Sequence, residues 1–107
     1  MEKITLALLC VEVRDGEIIW TRHFSQRLFE RNQPDRADVR YVLCENEPSI
    51  RQRYESSFLI WGYVANGRRA HIISTYPPKA KVVTCYWPDT EPDEWENDYR
   101  DARGEMY

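Results

Sequence analysis

Residues 57–76 read SFLIWGYVANGRRAHIISTY, and this stretch decides the fold. Ser57 to Val64 is an apolar and aromatic run with the composition of a well-buried strand. Asn66-Gly67 is the strongest hairpin signal in the chain, since both residues accept the positive φ of a tight turn. Arg69 to Tyr76 then returns as the antiparallel partner. Pro77, Pro78 and Lys79 make the next turn. Lys81 to Trp87 is a last strand, closed by Pro88. Ser49 to Tyr54 alternates weakly and precedes the run, so the sheet has about four antiparallel strands.

Before Pro48 the period is helical. Leu6, Leu9, Cys10 and Val13 recur at helix spacing, and Asp15-Gly16 ends that element. Ile18-Ile19-Trp20 is a short extended run. Thr21 is a plausible N-cap for a helix through RHFSQRLFER, residues 22–31, with Phe24 and Leu28 as its core stripe. Asp35 opens another helix, with Val39, Val42 and Leu43 on one face. Helices followed by consecutive strands define an α+β class with an antiparallel sheet. At 107 residues the chain reads as one domain, 1–107, with 89–107 as an acidic tail.

The helix through residues 22–31 places His23, Arg27 and Arg31 four residues apart, along one face at the margin of the core. Two guanidiniums can grip a phosphate through bidentate forks, and a histidine can move a proton near neutral pH. The plain alternative is a solvated row paired with Glu30 and other acids. His71 lies mid-strand on a face with Ile73 and Thr75, where a hydrogen-bonded core histidine is the commoner outcome. Thr84 and Tyr86 share one face of the last strand, and Tyr86 can position a phosphate or close an edge of the core. There is no glycine-rich phosphate loop, no nucleophile elbow and no clustered ligand motif, so a metal enzyme is disfavoured and no cofactor is expected.

Charge is unevenly distributed. Residues 89–107 hold eight acids and two bases, while residues 1–88 hold 13 bases and 10 acids. The body is mildly basic and the tail strongly acidic. In the tail the acids come first and Arg100 and Arg103 come late, an order that suits a helix dipole. Trp95 and Tyr99, one helical turn apart, could dock it onto the body. Cys10, Cys44 and Cys85 are widely spaced, odd in number and without a C-x-x-C pair, which reads as reduced thiols in a cytoplasm. The apolar start is short, Glu2 spoils a signal-peptide n-region, and no stretch is long enough to span a membrane.

The chain resembles the bacterial domain-of-unknown-function family 4258 over about residues 4–103. The segment IIWTRHFSQRLFER matches the family's I-x-W-(S/T)-x-H-A-x-x-R-M-x-x-R, with Leu28 for the usual methionine. RRAHII carries the hairpin histidine, TCYWPD matches T-x-Y-x-P-D, and EPDEWENDYR is similar to D-x-x-x-W-x-x-D-(F/Y)-R. Asn32 and Cys44-Glu45 stand where the family often has glycine. That family in turn resembles the compact toxin ribonucleases that include RelE, barnase and the colicin nucleases. The resemblance implies a metal-independent endoribonuclease toxin with a small zinc-finger or helix-turn-helix antitoxin. On that reading the residues above are candidates for catalysis, with His23 as base or acid, Arg27 and Arg31 on the phosphorane and His71 or Tyr86 as the second proton-transfer group. Lys79, Lys81 and Thr84 are candidates for holding the RNA. A non-catalytic protein- or nucleic-acid-binding module is the alternative. His23, Arg27 and the Thr84/Tyr86 face are expected to converge on one shallow cleft between helices and sheet. Catalysis needs a proton-transfer group and an anion grip in one pocket, and a His23 that faces away from the last strand favours the binding readings.

Overall fold

The computed structural model describes residues 2–28 and 33–103. Three helices, α1 (Glu2–Arg14), α2 (Arg22–Arg27) and α3 (Arg36–Cys44), pack on one face of a five-stranded sheet. The strands are β1 (Ile19–Trp20), β2 (Ser49–Arg53), β3 (Ser57–Tyr63), β4 (Arg69–Thr75) and β5 (Lys81–Tyr86), ordered β1-β5-β4-β3-β2. The four antiparallel strands are as expected. The fifth is the Ile18–Trp20 run, which pairs parallel to β5 through Ile19↔Lys81 and Trp20↔Val82.

The inward face carries Phe58 and Ile60 of β3, Ala70 and Ile72 of β4, and Val82 and Cys85 of β5. Against them lie Leu6 and Leu9 of α1, Phe24 of α2, and Val39, Val42 and Leu43 of α3. Gly62 sets the approach of α3, because a Cβ there would stand 2.5 Å from Val42 Cγ1. Leu59, Trp61 and His71, on the opposite sheet face, are also buried. Cover on both faces explains why residues 57–64 read as a continuous apolar run.

The caps follow the sequence. The Thr21 hydroxyl accepts from the Phe24 N–H at 3.2 Å and donates to the Val83 carbonyl at 3.0 Å, so the cap also moors α2 to β5. Asp35 and Asp38 form a reciprocal capping box at the start of α3. The buried Glu12 carboxylate accepts the Ala80 N–H at 2.8 Å and ties α1 to the turn before β5.

Two expectations fail. Cys10 and Cys44 are not separate thiols. Packing of α1 against α3 brings their Cα atoms to 5.2 Å, and they form a disulfide. Of the three cysteines, Cys85 is the free thiol. The acidic tail, through residue 103, is not a helix. Two single 3-10 turns, Pro88–Thr90 and Pro92–Glu94, lead into a two-stranded ribbon of β6 (Trp95–Glu96) and β7 (Asp101–Ala102). Asn97, Asp98 and Tyr99 between them have φ of 55°, 60° and 65°, a left-handed run that no right-handed helix admits. No helix among the described residues is long and apolar enough to cross a membrane.

Candidate functional site

The site begins with an unfinished edge. β1 pairs only with Lys81 and Val82, so the outer edge of β5 beyond them is met by other groups. Thr21 takes the Val83 carbonyl. Gln33, with its amide oriented to satisfy both neighbours, donates to the Cys85 carbonyl at 2.9 Å and accepts from the Arg27 guanidinium at 2.7 Å. Arg27 is thereby held over the end of β5. The 3-10 turns then fold the chain back, and a cleft of about 380 Å³ remains, lined by Arg27, Tyr86, Trp87, Glu91, Glu94 and Trp95 among others.

Arg27 and Tyr86 therefore line one cleft, which is part of the expected convergence. His23 does not join them. It is exposed and does not line the cleft. One turn along α2 is about 5.4 Å, so Arg27 reaches the end of β5 while His23, a turn earlier, does not. Arg31 lies outside the described residues. Lys79 and Lys81 stand at the opposite end of β5, about 17 Å from Tyr86 at strand rise. Thr84 does not line the cleft, and its Oγ1 is buried with no hydrogen-bond partner among the described residues.

His71 is fully buried, and both ring nitrogens are engaged. Nε2 lies 2.7 Å from the Tyr99 carbonyl and Nδ1 lies 3.2 Å from the Tyr86 hydroxyl. A carbonyl only accepts, so Nε2 carries the proton and Nδ1 accepts from Tyr86. Burial pushes the imidazole down to about 4, against a smaller opposing effect of the Tyr99 hydrogen bond. Burial likewise pushes the Tyr86 phenol up to about 12. The pair is neutral near pH 7, and the Tyr86 proton points at His71, away from a substrate. Cys85, the free thiol, is buried, donates to the Pro34 carbonyl at 3.2 Å, and is pushed up to about 12 mainly by burial. It is a poor nucleophile.

Gln33, Trp87, Glu91 and Glu94 were not legible as site residues. The only signal was the pair of prolines, Pro88 and Pro92, which turn the chain back over the end of β5. Among the described residues no cluster of three or more histidine, cysteine or acidic side chains could hold a metal.

The fold and cleft define an α+β protein with a mostly antiparallel sheet and a cleft lined by Arg27 and Tyr86 at the end of β5. The chain belongs to the family described as Domain of unknown function (DUF4258), whose model matches residues 20–87. That span runs from β1 to the end of β5 and includes Arg27, His71 and Tyr86, while α1 and the acidic tail lie outside it. No curated protein and no solved structure matches the chain.

Proposed function

We propose that this chain is a metal-independent endoribonuclease toxin, of the RelE/barnase-like kind, that acts in the cytoplasm and is neutralised by a small zinc-finger or helix-turn-helix antitoxin. The observation that carries this reading is the convergence of Arg27 and Tyr86, from helix and sheet, on one cleft with an aromatic wall. A nucleobase stacks on Trp95 or Trp87, which is sequence-tolerant recognition of single strands. The ribose 2′-hydroxyl attacks the adjacent phosphorus. The new O2′–P bond forms as the P–O5′ bond breaks, leaving a 2′,3′-cyclic phosphate and a 5′-hydroxyl. Arg27, already oriented by Gln33, stabilises the phosphorane charge. The base role passes from His23 to the carboxylates Glu91 and Glu94, which line the same cleft. Glu91 or Glu94 takes the 2′-hydroxyl proton, and Tyr86, turning its hydroxyl from His71 Nδ1 to the departing O5′, supplies the proton that makes the 5′-hydroxyl and regains one from solvent.

A second reading is favoured by one observation. In the described conformation the only histidine near the cleft is neutral with both nitrogens engaged, as befits a binding module that moves no proton.

The test is incubation of the purified protein with a labelled single-stranded RNA, with and without excess EDTA. Cleavage to cyclic-phosphate ends, equal in both samples, is expected. Complete loss in EDTA with recovery on adding a divalent ion contradicts the chemistry. Binding of RNA with no cleavage in either sample selects the second reading.

A further inference from the structure

Residues 95–103 lie across the sheet face opposite the helices, and the way they are attached is informative. None of residues 89–103 is buried, yet His71 and Trp61 beneath them are. The segment is held by polar contacts. Asp98 accepts from Arg69 at 2.8 Å and Asp101 from Arg51 at 2.9 Å. The Asp98 carbonyl takes the Trp61 indole N–H at 2.8 Å, and the Tyr99 carbonyl takes His71 Nε2. The Arg100 guanidinium stacks 4.2 Å from the centre of the Trp61 ring, and Trp95 stands edge-on to His71 at 4.4 Å.

Each of these contacts has a counterpart in single-stranded nucleic acid. Two guanidiniums that hold carboxylates equally suit phosphates. A tryptophan face that carries a planar cation equally carries a base. Arg69 also lies over Tyr63, so the cation and the aromatic platform are one assembly. Partly exposed ion pairs and surface stacking are weak and screened by salt, so the segment can detach without disturbing the core.

We infer that residues 95–103 are an acidic strap that occupies a single-stranded RNA-binding face of the sheet, built from Arg51, Arg69 and Trp61, and that the strap lifts for RNA to bind there. The inference takes its ligand class from the proposed function. It adds a binding surface that adjoins the cleft at Tyr86, where Trp87 remains as the stacking wall when Trp95 lifts with the strap, and a built-in competitor for that surface. Lifting the strap also removes the Tyr99 carbonyl from His71 Nε2. The imidazole is then free to change tautomer, and the Tyr86 proton is released from Nδ1 towards a leaving oxygen.

The test uses the full chain carrying Asp98→Asn and Asp101→Asn, which removes both carboxylates and keeps both arginines. Two quantities are read: hydrogen exchange of the Trp61 indole N–H, and the Kd for a fluorescent 2′-O-methyl RNA, which binds but cannot be cut. If the strap is open about one tenth of the time in the wild type, the variant exchanges faster and binds about tenfold tighter. Arg69→Ala in that background removes the gain. Faster exchange with unchanged or weaker RNA binding overturns the inference. Unchanged exchange overturns it too, since the ion pairs then do not hold the strap. If the variant fails to fold, a peptide of residues 91–103 is titrated into wild-type protein bound to the same RNA. Displacement is expected, and failure to compete overturns the inference. Cleavage of unmodified RNA separates the two claims. Tighter binding without cleavage sinks the ribonuclease reading alone. Wild-type cleavage that the strap variants do not accelerate sinks the strap alone.

Discussion

Arg27→Ala should lower the rate of RNA cleavage by roughly 30- to 1000-fold while the protein still folds. The rate figure follows from losing one preorganised donor to the phosphorane, about 2–4 kcal/mol of transition-state stabilisation. The folding cost is smaller. Arg27 is half-buried and gives up its contact to Gln33, a loss on the order of 1 kcal/mol. Arg27→Lys should recover little activity, because an ammonium cannot both meet the Gln33 oxygen and present a fork to a phosphate. Cleavage rate and urea midpoint are measured on the same preparations. Full activity with an unchanged midpoint would show that Arg27 touches no reacting group. Activity lost together with the fold would make its role structural.

Acidification should destabilise the protein through His71. The unfolded histidine titrates near 6.5 and the folded one near 4, so between these values the unfolded state binds more protons. Stability is fully present above pH 6.5 and is lost as pH falls towards 4, by as much as about 3 kcal/mol. His71→Gln keeps a donor for the Tyr99 carbonyl and an acceptor for the Tyr86 hydroxyl but does not titrate there. Urea unfolding at pH 7 and pH 4.5 should show a marked drop for the wild type and a flat response for His71→Gln. Equal slopes in the two proteins would mean that another group carries the acid sensitivity.

The hairpin, the helix caps and the core stripe were legible because each is written within a few residues. Asn66-Gly67 demands a turn, Thr21 and Asp35 supply side-chain acceptors, and Val39, Val42 and Leu43 face one way. What failed to show was decided by distant parts of the chain. Cys10 and Cys44 pair because α1 lies on α3, which no spacing rule encodes. Ile19 and Trp20 read as extended, but their parallel place beside β5 was not legible, because it depends on the edge that β5 offers. In the tail, charge order argued for a helix, but Asn97 and Asp98 tolerate the left-handed conformation, and His71 and Trp61 fix the carbonyls of Tyr99 and Asp98. Of the His/Arg row, Arg27 lines the cleft and His23 does not, while Arg31 lies outside the described residues. A helical row shares a face, but a cleft at one end of that helix is out of reach of the member one turn away, His23.

The four tryptophans allow a direct test of where RNA binds, because each indole N–H gives its own resonance. Trp87 and Trp95 line the cleft, Trp61 lies under the strap, and Trp20 packs on Phe24 beside Arg36. Titrating uncleavable 2′-O-methyl RNA into the labelled protein should shift the Trp87 and Trp95 indole signals and leave Trp20 in place. Saturable binding that moves Trp20, with Trp87 and Trp95 unchanged, would contradict the assignment of the cleft.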